Sequence, residues 1–204
     1  PALDALWGDP EESEALELLR VLMTDGAKDR RPYQAPVSFR ILPRLLGRAI
    51  RAVKAAEDMA ERSLRSITDN PVFLMPDEQH PLGRALSTGG YHNAAAAPAL
   101  DELSACCADL ALLAERQAAK ILEGRVSGLP DQLWAGPGDG RYFGTLPMAS
   151  VGFGEAARHA AQRTFLAGPE SGGYAQNDVA SNGIPAWRKY EEAGAAFDAC
   201  LAVL

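Results

Sequence analysis

Residues 33–47 read YQAPVSFRILPRLLG, and they join two unlike halves. Gln34 to Arg40 has the look of an irregular segment carrying an amide and a guanidinium. From Pro43 onward the chain turns helical. Pro is tolerated in a first helical turn because its missing N–H would be unpaired there anyway. Leu45, Leu46, Ile50, Val53, Ala56, Met59 and Leu64 then recur at three- and four-residue steps, which predicts a helix to about Ser66. Gln34 and Arg40 therefore lie just upstream of a rigid element, where polar groups can be aimed at a ligand.

Outward from that stretch the pattern stays helical. Asp9-Pro10-Glu11-Glu12 is a helix start, with an N-cap acid, Pro at the first position and acids in the first turn. That helix should run to about Met23, with Leu16, Leu19, Val21 and Leu22 on its buried side. Thr68-Asp69-Asn70-Pro71 stops the second helix. Residues 72–75 and 85–86 flank a Pro/Asp/Gly turn and could pair as a small two-stranded ribbon. Ser87-Thr88-Gly89-Gly90-Tyr91-His92 leads into the longest helix, expected over about Ala94–Glu123 with Gly124 as its stop. Thirty residues span ~45 Å, a length that belongs in a bundle or an oligomer interface. Glu115-Arg116 sits amid apolar neighbours there and is expected to be a buried structural pair. A Gly-rich loop follows over 127–140. Further helices are expected from Pro147 to about Ala167 and from about Pro185 onward.

Composition sets limits. The 204 residues are 47% hydrophobic and 23% charged, with net charge −7. The chain is rich in Ala and Leu and poor in β-branched residues, which favours helix. Its acidic balance, with Arg and Lys scattered, argues against a nucleic-acid partner. No apolar run reaches the length of a membrane span, and no secretory signal pattern is present. Three cysteines give no disulfide framework, so a cytoplasmic location is expected. His80, His92 and His159 have no ligand spacing, so no metal site is expected. The Gly136-Gly138-Gly140 run lacks the strand and Lys of a phosphate loop.

Six separated motifs, in order, resemble the aromatic amino acid ammonia-lyase family, the histidine, phenylalanine and tyrosine ammonia-lyases and aminomutases. They are Gln34…Ser38-x-Arg40…Pro43…Gly47; Thr68-Asp69-Asn70-Pro71; the Gly turn ending Tyr91-His92; Glu115-Arg116; Gly128-Leu129-Pro130; and Gln176-Asn177-Asp178-Val179-Ala180-Ser181-x-Gly183 followed by Arg188-Lys189. The resemblance covers nearly all of this chain but only the middle and later part of the family's length.

What the resemblance implies can be stated residue by residue. The fold is all-α, a bundle of long, roughly antiparallel helices with a small two-stranded ribbon. The chain is a single helical domain, expected to be a fragment or one chain of a longer lyase-like protein. The activity is elimination, or migration, of ammonia from an aromatic amino acid. It uses a methylidene-imidazolone prosthetic group formed from an Ala-Ser-Gly tripeptide, which these 204 residues lack and which in the family lies upstream. This chain alone is therefore expected to be inactive, completed by a missing N-terminal part or a second chain, within a homotetramer whose sites draw on three subunits. Arg40 would hold the substrate carboxylate through two parallel hydrogen bonds. Gln34 would hydrogen-bond near the prosthetic group, Gln176 and Asn177 would face the electrophile or substrate, and Tyr91 would stand at an aromatic-pocket Phe position. Val37 occupies the place of a catalytic Tyr among the substrate contacts and cannot act as acid or base. Ala35 replaces an Asp, and Gly90 an Asn. These departures leave a second possibility, a catalytically degenerate homologue serving as scaffold or helper subunit.

Overall fold

The structure is a computed structural model, which describes residues 7–24, 26, 34–138, 142–166 and 178–204. In chain order the elements are α1 (Pro10–Leu22), α2 (Val37–Arg40), α3 (Leu42–Arg65), β1 (Val72–Leu74), β2 (Arg84–Leu86), α4 (Ala96–Ile121), α5 (Gly124–Ser127), a 3₁₀ turn (Asp131–Leu133), α6 (Leu146–Ala160) and α7 (Gly183–Val203). The expected all-α bundle with one small ribbon is what is seen.

Helix α4 is the hub, packing on α3, α6 and α7, while α1 packs on α3. Side-chain ties fix the directions. Arg48 reaches Glu102 and Asp109, and Asn93 reaches Ser63, so α3 runs antiparallel to α4. Asp101 accepts from the Thr164 amide at 2.6 Å, and Gly154 lies beside Glu115, so α6 is antiparallel to α4 as well. Gly183 lies beside Ala96 and Lys189 pairs with Asp101 at 3.7 Å, so α7 runs parallel to α4. The ribbon pairs Val72 with Leu86 and Leu74 with Arg84, antiparallel, at one edge.

The packing of this bundle rests on methyl groups. Ala108, Ala111 and Ala114 of α4, Ala157 of α6, and Ala196 and Cys200 of α7 form the buried cluster. Leucine contributes less: Leu113 is buried, but Leu112 is exposed. Helices that meet through alanine approach closely and leave larger side chains to the flanks. Two buried serines satisfy themselves within their own helices, Ser104 on Leu100 O at 2.8 Å and Ser150 on Pro147 O at 2.6 Å.

Helix α1 starts as its sequence dictates: Pro10 is the first residue, and the Asp9 carboxylate accepts from Glu12 N at 3.0 Å. Its buried contact is Ala15, whereas Val21 and Leu22 are exposed, contrary to expectation. Four acids do the remaining work. Asp9, Glu11, Glu12 and Glu14 meet Arg44, Arg51 and Lys54 of α3. Gly47 sits under the crossing; a Cβ there would lie 2.7 Å from Glu12 N.

Three boundaries differ from the pattern reading. Residues 37–40 are a helical turn rather than irregular chain. Helix α6 ends at Ala160 rather than Ala167. Gly124 opens α5, its N–H taken by Asp131 Oδ1 at 2.6 Å, and the left-handed stop falls instead at Gly128, φ 75°. Residues 27–33, 139–141 and 167–177, including Tyr33, Gln176 and Asn177, lie outside the described residues.

Candidate functional site

The turn α2 stands over the C-terminal part of α4. The Arg40 Nε–H donates to Ala35 O at 2.9 Å, which folds the side chain back on its own turn. No carboxylate pairs with Arg40 among the described residues, so its two terminal nitrogens remain available to a planar anion. Gln34 and Val37 are exposed beside it. From below, the buried Gln117 of α4 donates its side-chain amide to Ser38 O at 2.9 Å. Two mainly apolar grooves flank the turn. One, of about 480 Å³, is lined by Val37, Ile41, Leu45, Leu112 and Arg116. The other, of about 430 Å³, is lined by Ala35, Phe39, Ile121, Val126 and Leu129. Lys120 lines both and pairs with Glu123 at 2.5 Å, an interaction that holds the Glu123 carboxyl below its ordinary range.

Tyr91 is elsewhere. It lines a cleft of about 790 Å³ between the second half of α3 and the turn preceding α4, with Met59, Ser63, Thr68 and Gly90. The floor of that turn is set by Asn70, whose Oδ1 accepts from Thr88 N at 2.9 Å and from the Ser87 hydroxyl at 3.2 Å. Next to Tyr91, His92 Nε2 is buried without a hydrogen-bond partner among the described residues. From Ala96 to Gln117, α4 separates the two regions by roughly 32 Å.

The structure therefore brings Gln34, Val37 and Arg40 together at one end of α4 and places Tyr91 at the other. One substrate cannot touch both within a single copy of the chain. Glu115 is buried as expected, 3.4 Å from Arg116, but Arg116 itself is exposed at the edge of the first groove. The sequence reading missed Gln117. Its one visible signal was a polar residue amid the apolar run around Glu115. Among the described residues no group of three or more His, Cys, Asp or Glu side chains converges as metal ligands. No described helix is long and apolar enough to cross a membrane.

The sequence model of the aromatic amino acid lyase family matches residues 2–204, and the chain belongs to that family. It is 32% identical over 202 residues to a histidine ammonia-lyase of Streptomyces coelicolor, a match covering 95% of this chain and 38% of that protein. It is 29% identical over 173 residues to a histidine ammonia-lyase of Idiomarina loihiensis, covering 82% of this chain and 32% of that one. In fold it matches the histidine ammonia-lyase of Trypanosoma cruzi with a TM-score of 0.81 at 21% identity, covering 100% of this chain and 37% of the other. It matches the phenylalanine aminomutase of Pantoea agglomerans at 0.70 and 21%, covering 94% and 38%. The chain thus spans about a third of the length of these relatives.

Proposed function

We propose that this chain is the helical core portion of a carbon–nitrogen lyase that removes ammonia from an aromatic amino acid or moves it within one. The observation that carries the reading is Arg40: a guanidinium tied at Nε, without a carboxylate partner among the described residues, on a turn bordered by apolar grooves. Such a group binds a carboxylate through two parallel hydrogen bonds while the grooves accommodate apolar substance.

The domain is one helical unit of a longer cytoplasmic protein, and the working form is a homotetramer. The separation of Arg40 from Tyr91 supports an assembly of copies, since a site using both draws on more than one. The prosthetic group of the reading is a methylidene-imidazolone, formed from an Ala-Ser-Gly outside these residues. When bound it supplies an electrophilic carbon that makes ammonia departure feasible. The donors present suit an uncharged carbonyl-bearing ring: Gln34 is an exposed neutral amide, and the turn carrying it holds no carboxylate. In this reading Arg40 orients the substrate by its carboxylate, Tyr91 packs on the ring, and Gln176 and Asn177 face the reacting atoms. Val37 has no proton to transfer, so the proton transfer falls to another residue. The same Val37 favours the second reading, a homologue that retains the scaffold without the chemistry.

The test is ammonia release from a panel of aromatic amino acids, histidine included, by the full-length protein, with its intact mass checked for a deficit of two waters. Arg40→Ala should cut kcat/KM by about two orders of magnitude, the scale of a lost charge-assisted pair, and leave the helical content unchanged. A wild-type rate in that variant removes Arg40 from the site, and full-length protein without the mass deficit or any turnover leaves the scaffold reading.

A further inference from the structure

We propose that Gln117 is a positioning residue, whose buried side-chain amide fixes the placement of the turn that carries Arg40. The inference rests on the lyase reading for what Arg40 does, but the tie itself is a matter of geometry.

A four-residue helix cannot hold itself in place, because so short a segment gains too few hydrogen bonds to offset its ordering. Nothing in α2 is buried, and Pro36 ahead of it provides no side-chain cap. Val37 and Phe39 are exposed, and the two grooves lie where packing would otherwise pin the turn against α4. What crosses from the hub helix to the turn's main chain is the Gln117 Nε2–H bond to Ser38 O, between residues 79 apart in sequence. Gln117 is itself only 8% exposed, flanked by the buried Ala114 and Ala118, so its donor is presented by a rigid part of the molecule. Arg40 then moves with the turn, because its Nε is hooked to Ala35 O. Placement is handed from the α4 interior to Gln117, from Gln117 to Ser38, and from the turn to the guanidinium. A displacement near 1 Å is enough to spoil a two-bond grip on a carboxylate.

Hydrogen exchange read by mass spectrometry on the full-length protein tests this, comparing wild type with Gln117→Leu and Gln117→Glu. The first removes the donor; the second sets an acceptor against Ser38 O. The peptide covering 36–42 should exchange about tenfold faster in Gln117→Leu, the factor of one net hydrogen bond, and at least as fast in Gln117→Glu. Peptides from α4 and from α3 beyond Gly47 should keep wild-type rates. Unchanged exchange over 36–42, or an increase spread evenly through the bundle, overturns the proposal. On the same proteins, KM for the amino acid should rise about tenfold with kcat near wild type, the pattern of a loosened carboxylate grip. Faster exchange with both constants unchanged overturns the positioning role. Wild-type protein that turns over no amino acid overturns the lyase reading instead, and the exchange result then stands on its own.

Discussion

Replacing Gly47 by Ala should destabilise this protein, although the same change in an open helix stabilises it. In a helix interior, Ala is better than Gly by about 1 kcal/mol. At Gly47 the added methyl would lie 2.7 Å from Glu12 N, 2.8 Å from Glu12 Cα and 3.0 Å from Glu11 C. These are backbone atoms of α1, which cannot rotate aside as a side chain can. Overpacking of this kind costs about 1–3 kcal/mol. Relief by lifting α1 would stretch the ion pairs of Arg51 and Lys54 with its acids. Set against the propensity gain, the net loss is up to about 2 kcal/mol. For a chain of this size that lowers Tm by up to about 8 °C. Gly194, inside α7 with nothing among the described residues within 4 Å of where a Cβ would lie, is the internal control: Gly194→Ala should raise Tm. The assay is thermal unfolding followed by circular dichroism on both variants. If Gly47→Ala raises Tm as Gly194→Ala does, the α1–α3 crossing is not as tight as described.

Two further predictions concern charge and thiols. The Asp9 carboxyl is held below its ordinary 3.8 by the Glu12 N–H and by Arg51, so its contribution to docking α1 is present above that value and lost as pH falls through the lowered one. Lys54 is raised above its ordinary 10.5 by Glu14, so its share is present below 10.5 and lost at higher pH. Protease cleavage within α1 should therefore be slow across that window, faster in acid, and faster at about 1 M salt, where exposed pairs are screened; cleavage indifferent to both refutes an ionic clamp. Burial pushes the Cys106 thiol up to about 11. Iodoacetamide at pH 8 should modify it about a hundredfold more slowly in the native chain than in urea, following the thiolate fraction; equal rates measured by peptide mass would show that Cys106 is not enclosed.

Elements with a local chemical signature were legible. The Asp9 cap, Pro10 and Pro43 marked helix starts because they act on their own backbone, and the ribbon followed from the turn between its strands. Gly128 was less visible than Gly124, although the Pro two residues beyond it favours a stop at Gly128. What decided between them was Asp131, which claims the Gly124 N–H from seven residues away. The alanine seam was not legible for a different reason. Periodicity shows which residues share a face, but the choice between a leucine and an alanine seam depends on how near the neighbouring helices come. On the functional side, Arg40 was legible through its motif, whereas its remoteness from Tyr91 depends on the fold of α3 back along α4. Gln117 had no motif, and only its bond to Ser38 gives it meaning.

An interior built on Ala108, Ala111, Ala114, Ala157 and Ala196 also inverts the usual way of surveying a protein by mutation. An alanine scan would pass over these positions, since they are already alanine, and would report a protein with few sensitive core sites. The sensitivity lies in the opposite direction, toward added volume. Valine or leucine at these places would wedge α4 from α6 and α7, and a sequence drifting under selection has almost no conservative step available there. Room for added volume is left instead on the flank and end of α4, where Leu112, Arg116 and Lys120 line the groove beside Arg40's turn.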